Sequence, residues 1–130
     1  MMENQFKILI CLMAKFRFQD LLIWQRAIIV GNKLIDISEK LEELKKFRFA
    51  EQLRGAALSV SNNIAEGSGS NSNPDFKRFL NYAHRSIFEN ANILLVLNLR
   101  LLVSDKDLAD LLEDLDILAR MISSFSKSLK

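Results

Sequence analysis

Asn62, Asn63 and Glu66 close an apolar stretch that then dissolves into GSGSNSN over residues 67–73. The last carbonyls of a helix carry partial negative charge, so a carboxylate beside them costs a few tenths to about 1 kcal/mol unless a cation compensates. Glu66 therefore calls for a cationic partner. Paired with Glu89 it could instead serve as one of two carboxylates in general acid–base chemistry, with His84, the single imidazole of the chain, as a further base. Nothing in the sequence arranges these groups for catalysis. NNIAEG is not a nucleophile elbow. His84 stands between Tyr82 and Arg85 with no residue placed to orient it, as expected of a partly solvated surface histidine. The glycine-rich loop lacks the Lys-Ser/Thr of a phosphate-cradling loop and follows a helix rather than a strand. One histidine and one cysteine, Cys11, leave no zinc-ligand set. The chain is read as non-enzymatic and without a cofactor.

Charge suggests a different chemistry. The net charge is only +2, but residues 15–48 hold eight basic against five acidic side chains, and residues 103–130 hold four against six, the acids concentrated in SDKDLADLLEDLD. Lys15, Arg17, Arg26, Lys33, Lys45, Lys46 and Arg48 could form a belt for phosphate, with Phe16, Phe18 and Phe47 near enough for stacking. Solvated helix faces have the same composition, and in that reading the lysines only keep the protein soluble. No groove-inserting motif is present, so any nucleic-acid contact is expected to follow charge and shape rather than base identity.

The elements that must position these residues are helical. The chain has 130 residues, 49% apolar, with four glycines and one proline, all between Gly31 and Pro74. That is enough for one domain with its own core, built from long and seldom interrupted helices. The first helix is expected over about 20–44, capped by Asp20, with Leu21, Trp24, Ile28, Gly31, Ile35, Ser38 and Leu41 at helical spacing, Ala27 and Leu34 widening the stripe. The second spans about 47–66 on Phe49, Leu53, Ala57, Val60 and Ile64, with Gly67 as its left-handed C-terminal residue. The third spans about 74–102, capped by Asn73, with a face of Phe76, Phe79, Leu80, Ala83, Ile87, Ala91, Leu94 and Leu101. Its second half, ILLVLNLRLLV, is apolar almost all round, which suggests burial by another subunit. The fourth spans about 105–128, started by Ser104 and Asp107, with Leu108, Leu111, Leu115, Leu118, Ile122, Phe125 and Leu129 on one seam. Short connections make neighbouring helices antiparallel, so the fold class is all-α, an up-down-up-down bundle over residues 16–130.

Gln52, Ser59, Asn63 and Glu66 share a second stripe of the second helix, small and polar enough for another backbone to come close. Arg78, Tyr82, Arg85, Glu89 and Asn92 make one stripe of the third. Glu66 and an asparagine are expected to meet Arg78 or Arg85, from the same chain or a neighbour.

Residues 1–15 are expected to form a disordered or loosely packed tail. Ile8 to Ala14 is far too short to span a membrane, the segment makes a poor signal peptide, and Ile10 before Cys11 does not suit a lipoprotein. Met13 offers an alternative start. A single cysteine excludes an internal disulfide and fits a reducing, cytoplasmic setting.

DLLIWQRA at 20–27, QLRGAALSVSNNIAEG at 52–67 and FKRFLNYAHRSIFE at 76–89 together resemble the four-helix-bundle family of proteins encoded in intervening sequences of bacterial 23S rRNA genes. Trp24, Arg54, Ala56, Ala57, Ser59, Asn63, Ile64, Ala65, Glu66, Gly67, Phe79, Leu80, Ala83, Ser86 and Glu89 carry the likeness, which extends from about Phe16 to Met121. Arg85 departs from it where the family commonly has Gly, Val60 stands for the usual Ile, and Asn90 and Asn92 are unusually polar. The resemblance implies a left-handed bundle that assembles as a homopentamer with a basic surface. It further implies a likeness to accessory proteins of diversity-generating retroelements, which bind a reverse transcriptase and its structured RNA. It implies neither catalytic activity nor a membrane partner. An oligomeric protein scaffold that touches no nucleic acid is the competing reading.

Overall fold

Leu34, Leu53, Leu80 and Leu118 come from four separate apolar stretches, and all four are buried in one continuous core. The computed structural model describes residues 15–130. A short 3₁₀ turn, Arg17–Asp20, leads into α1 (Leu22–Glu43), α2 (Phe47–Ser68), α3 (Asn73–Leu99) and α4 (Asp105–Ser128), with no strand among the described residues. The four long helices pack as a bundle: α2 lies chiefly against α1 and α3, and α4 against α3 and α1. The expected N-terminal tail and the alternative start at Met13 lie outside the described residues, apart from the exposed Lys15.

The buried stripe of α1 is Ile23, Ala27, Val30, Leu34, Ser38 and Leu41. It is turned slightly from the expected one, for Trp24, Ile28 and Ile35 are only half-buried. The wide apolar band of α1 left both choices open, and packing against α2 and α4 selects between them. On α3 the core row runs Phe76, Leu80, Ala83, Ile87, Asn90, Leu94 and Leu97. Asn90 is thus in the row, whereas Ala91 is half-buried and Leu101 lies beyond the helix, 92% exposed. The α4 seam is as expected, with Leu111, Leu115, Leu118 and Ile122 buried.

Two of the four helices, α3 and α4, start at a side chain that reaches back to a free amide. The Ser104 hydroxyl accepts from the Asp107 amide at 3.1 Å, as expected. At α3 the cap is Ser72, whose hydroxyl accepts from the Asp75 amide at 3.3 Å. Asn73 is already helical there and donates instead to the Lys130 carbonyl at 2.7 Å. Asp20 ends the 3₁₀ turn and does not cap α1, whose N-cap is Leu21 without a side-chain bond.

The helix ends overturn the expected role of glycine. Lys45 and Leu101 take the left-handed conformation, with φ of 62° and 63°. Each closes its helix with a pair of backbone bonds: Lys45 to Glu42 and Lys46 to Leu41 after α1, Leu101 to Asn98 and Leu102 to Leu97 after α3. This is the double closure that satisfies the last free carbonyls of a helix, built here without the glycine that normally fills the left-handed position. Gly67, by contrast, lies inside α2, and none of the described glycines has positive φ.

Because Leu101 is exposed and carries a conformation that disfavours a Cβ, Leu101→Gly is expected to stabilise the fold by about 0.5–1 kcal/mol after the larger chain entropy of glycine is counted. A rise of a few degrees in the melting temperature, followed by circular dichroism, checks it.

Candidate functional site

The second half of α2 and the first half of α3 approach closely because Ala56, Ser59 and Gly67 leave room. The Ser59 and Ser86 hydroxyls meet at 2.9 Å. The Asn90 amide Nδ2 donates to the Ala56 carbonyl at 2.9 Å and to the Ser86 carbonyl at 2.8 Å. Asn63 Nδ2 donates to the Ser59 carbonyl at 2.8 Å and to its hydroxyl at 3.1 Å. A Cβ added at Gly67 would stand 2.7 Å from Phe79 Cβ and 2.8 Å from Phe76 Cδ1. Gly67 is needed for space, not for a turn. Together Ser59, Asn63, Tyr82, Arg85, Ser86 and Glu89 line a shallow polar groove of about 420 Å³ between the two helices.

The charged residues of the groove do not pair within it. Arg78 is held by its own helix: Nη2 and Nε donate to Asp75 Oδ1 at 2.6 and 3.0 Å, and Nη1 to the Tyr82 hydroxyl at 3.2 Å. Its guanidinium also lies over the Phe79 ring at 4.8 Å. The Arg78 hydrogen bond holds the Asp75 carboxyl below its ordinary range, and the same bond raises Arg78. Arg78 is therefore engaged, and the expected contact with Glu66 is not made within the chain. Glu66, Arg85 and Glu89 are exposed and make no ion pair among the described residues.

The basic belt divides into two classes. Arg26 and Lys33 both reach Asp114 of α4, at 3.3 and 3.0 Å. Arg17 lies over the Phe76 ring at 5.2 Å. Arg54 pairs with Glu42. Lys15 is exposed at the edge of the 3₁₀ turn. Lys45, Lys46 and Arg48 lie together at the α1–α2 turn, exposed and without a carboxylate partner among the described residues. Of the aromatic residues expected nearby, Phe16 stacks on Phe18 at 5.6 Å and Phe18 meets Trp24 at 4.9 Å, while Phe47 is left 59% exposed. His84 is half-buried beside the Phe88 ring at 5.2 Å.

Two residues that organise the site, Asp114 and Asn90, are not among the expected site residues. Asp114 draws two cations of the belt inward, and only tertiary packing brings α4 over α1. Asn90 is fully buried, and its Oδ1 has no partner among the described residues. Its signal was legible, since Asn90 continues the row Ala83, Ile87, Leu94 in alternating steps of four and three, where a polar residue fixes register.

A family model described as 23S rRNA-intervening sequence protein matches residues 19–124. A comparison with curated proteins finds no match.

Gly67→Ala is expected to destabilise the protein by roughly 1–3 kcal/mol, because backbone-anchored Phe79 Cβ cannot yield as a flexible side chain would. Gly55, with open space at its Cβ position, serves as the control: Gly55→Ala is expected to be neutral or stabilising, by up to about 1 kcal/mol. Urea denaturation of the two variants measures the difference.

Proposed function

The chain belongs to the 23S rRNA-intervening sequence protein family, and we propose that it acts as a non-enzymatic, cytoplasmic homo-oligomer that binds structured RNA or a ribonucleoprotein partner through a basic surface. The observation that carries this reading is the cluster of Lys45, Lys46 and Arg48, exposed in one turn and without a carboxylate ion pair among the described residues. Arg26 and Lys33 belong to the belt only weakly, since Asp114 already neutralises part of their charge. The subunit is an antiparallel up-down-up-down, left-handed bundle. The pairing of Ser59 with Ser86 and of Ala56 with Asn90 supports the antiparallel course, because rising numbers on α2 meet falling numbers on α3.

Assembly draws on two features. Phe88, Leu95, Val96 and Leu99 of α3 are exposed apolar side chains, an unusual load for a solitary helix face. Glu66, Arg85 and Glu89 carry charge that finds no ion-pair partner among the described residues, so Arg85 of one subunit against Glu66 or Glu89 of the next is the contact with which a pentameric ring is built. The same apolar face favours a second reading, in which the oligomer is a protein scaffold, for example an accessory protein of a reverse transcriptase, with no direct nucleic-acid contact.

Three or four phosphate contacts predict that affinity for a structured RNA falls by on the order of tenfold to a few hundredfold between low and physiological salt. A gel-shift series in salt measures it, and a salt-independent or missing shift rejects the RNA reading. Light scattering is expected to give a native mass several times that of one chain, reduced by Glu66→Ala or Arg85→Ala. Unchanged mass and stability in both variants would remove these residues from the contact. Pull-down with and without nuclease separates RNA binding from the scaffold reading.

A further inference from the structure

The α1–α2 turn is built in a way that the core does not require. Over residues 43–48 three cations stand against one carboxylate, Glu43. Lys45 takes a left-handed backbone that a non-glycine residue adopts only at a cost. At the start of α2, Phe49 is the ring that turns toward the core, half-buried against it. Phe47, two residues earlier, is 59% exposed and is not part of the core. The neighbouring carboxylate Glu42 is occupied by Arg54. The α3–α4 turn adds a fourth cation, because the Arg100 guanidinium lies over the Phe49 ring at 5.9 Å and has no carboxylate partner among the described residues. In sequence the exposed Phe47 follows Lys45 and Lys46 and precedes Arg48, and Arg100 lies over Phe49 in the same first turn of α2.

We infer that this end of the bundle is a site for unpaired RNA, in which one base stacks on Phe47 while Lys45, Lys46, Arg48 and Arg100 hold the flanking phosphates. The inference rests on the RNA-binding reading above and narrows it to a ligand class and a location. A duplex would use only the cations, because its base faces are hidden in the stack and its deep major groove admits no side chain. An unpaired strand offers both a π-face and phosphates, and a ring among cations engages the two together without reading sequence. Of the other four belt residues, Arg26 and Lys33 are drawn to Asp114 and Arg17 lies over Phe76, while Lys15 is exposed beside the 3₁₀ turn.

The test is fluorescence anisotropy on the full chain at low salt, with a labelled oligouridine and an RNA duplex of the same length as probes. Phe47→Ala is expected to weaken oligouridine binding about tenfold while leaving duplex binding unchanged, and Phe47→Trp to retain both. The triple variant Lys45→Gln, Lys46→Gln, Arg48→Gln is expected to weaken both probes. If Phe47→Ala should fail to fold, Phe47→Trp supplies a second readout, since oligouridine stacking quenches its fluorescence beyond any change in the wild-type chain, where Trp24 is the only tryptophan. Equal binding of oligouridine by wild type and Phe47→Ala, or no added quenching, overturns the stacking site but leaves RNA binding standing. A wild-type chain that binds neither probe removes both readings. Sedimentation with phosphatidylglycerol vesicles, lost in Phe47→Ala, in a chain that ignores oligouridine would assign this end to an anionic lipid surface and likewise overturn the inference.

Discussion

The close approach of α2 to α3 at Ala56, Ser59 and Gly67 constrains nearly everything else in the molecule. Helices separated by ordinary side chains could slide or rotate past one another at little cost. Here the Phe76 and Phe79 side chains occupy the space where Gly67 would carry a Cβ, and Asn90 bonds across to the Ala56 carbonyl. Burying an amide side chain costs roughly 1–3 kcal/mol unless it is bonded, so the two donors of Asn90 are satisfied only in one register. The polar groove, the position of Arg85 and Glu89 on its rim and the orientation of the exposed α3 face all follow from that register.

A second constraint is electrostatic. The acidic face of α4 is tied to α1 through Asp114, which pairs with the half-buried Arg26 and the exposed Lys33. Each such pair contributes at most about 1 kcal/mol to stability. The larger effect is on what remains available: with Arg26 and Lys33 paired, Lys45, Lys46 and Arg48 remain as a cluster without a carboxylate partner among the described residues. A belt spread along a helix and a cluster at one end of a bundle have the same composition but present different surfaces to a polyanion.

The exposed apolar residues of α3 complete the division of labour. Leu94 and Leu97 fill the core, while Leu95, Val96 and Leu99 on the other faces of the same turns remain at the surface. A helix apolar all round has spent more hydrophobic surface than one bundle can cover. The interior of the bundle, its α3 face and its basic end are thus three surfaces with three different demands, held in fixed relation by the α2–α3 contact.

How far this was legible depends on the range of the interaction. Helix number, approximate bounds and the α4 seam were determined by the sequence itself, because hydrophobic periodicity is a property of neighbours three and four residues apart. The Ser104 start was legible for the same reason. The family motif is visible too, but the role of its glycine is not: a glycine at a helix end looks alike whether it supplies a left-handed backbone or room for Phe76 and Phe79 from the next helix. The left-handed Lys45 and Leu101, the Ser72 start of α3 and the Arg78–Asp75 pair are short-range contacts that periodicity leaves open. Tertiary structure alone decided that Asn90 bonds across to Ala56, that Gly67 makes room for Phe76 and Phe79, and that Asp114 takes Arg26 and Lys33. Each of these depends on which atoms of a distant segment arrive within hydrogen-bonding or van der Waals reach, and that distance is set by packing the four helices together, not by spacing along any one of them.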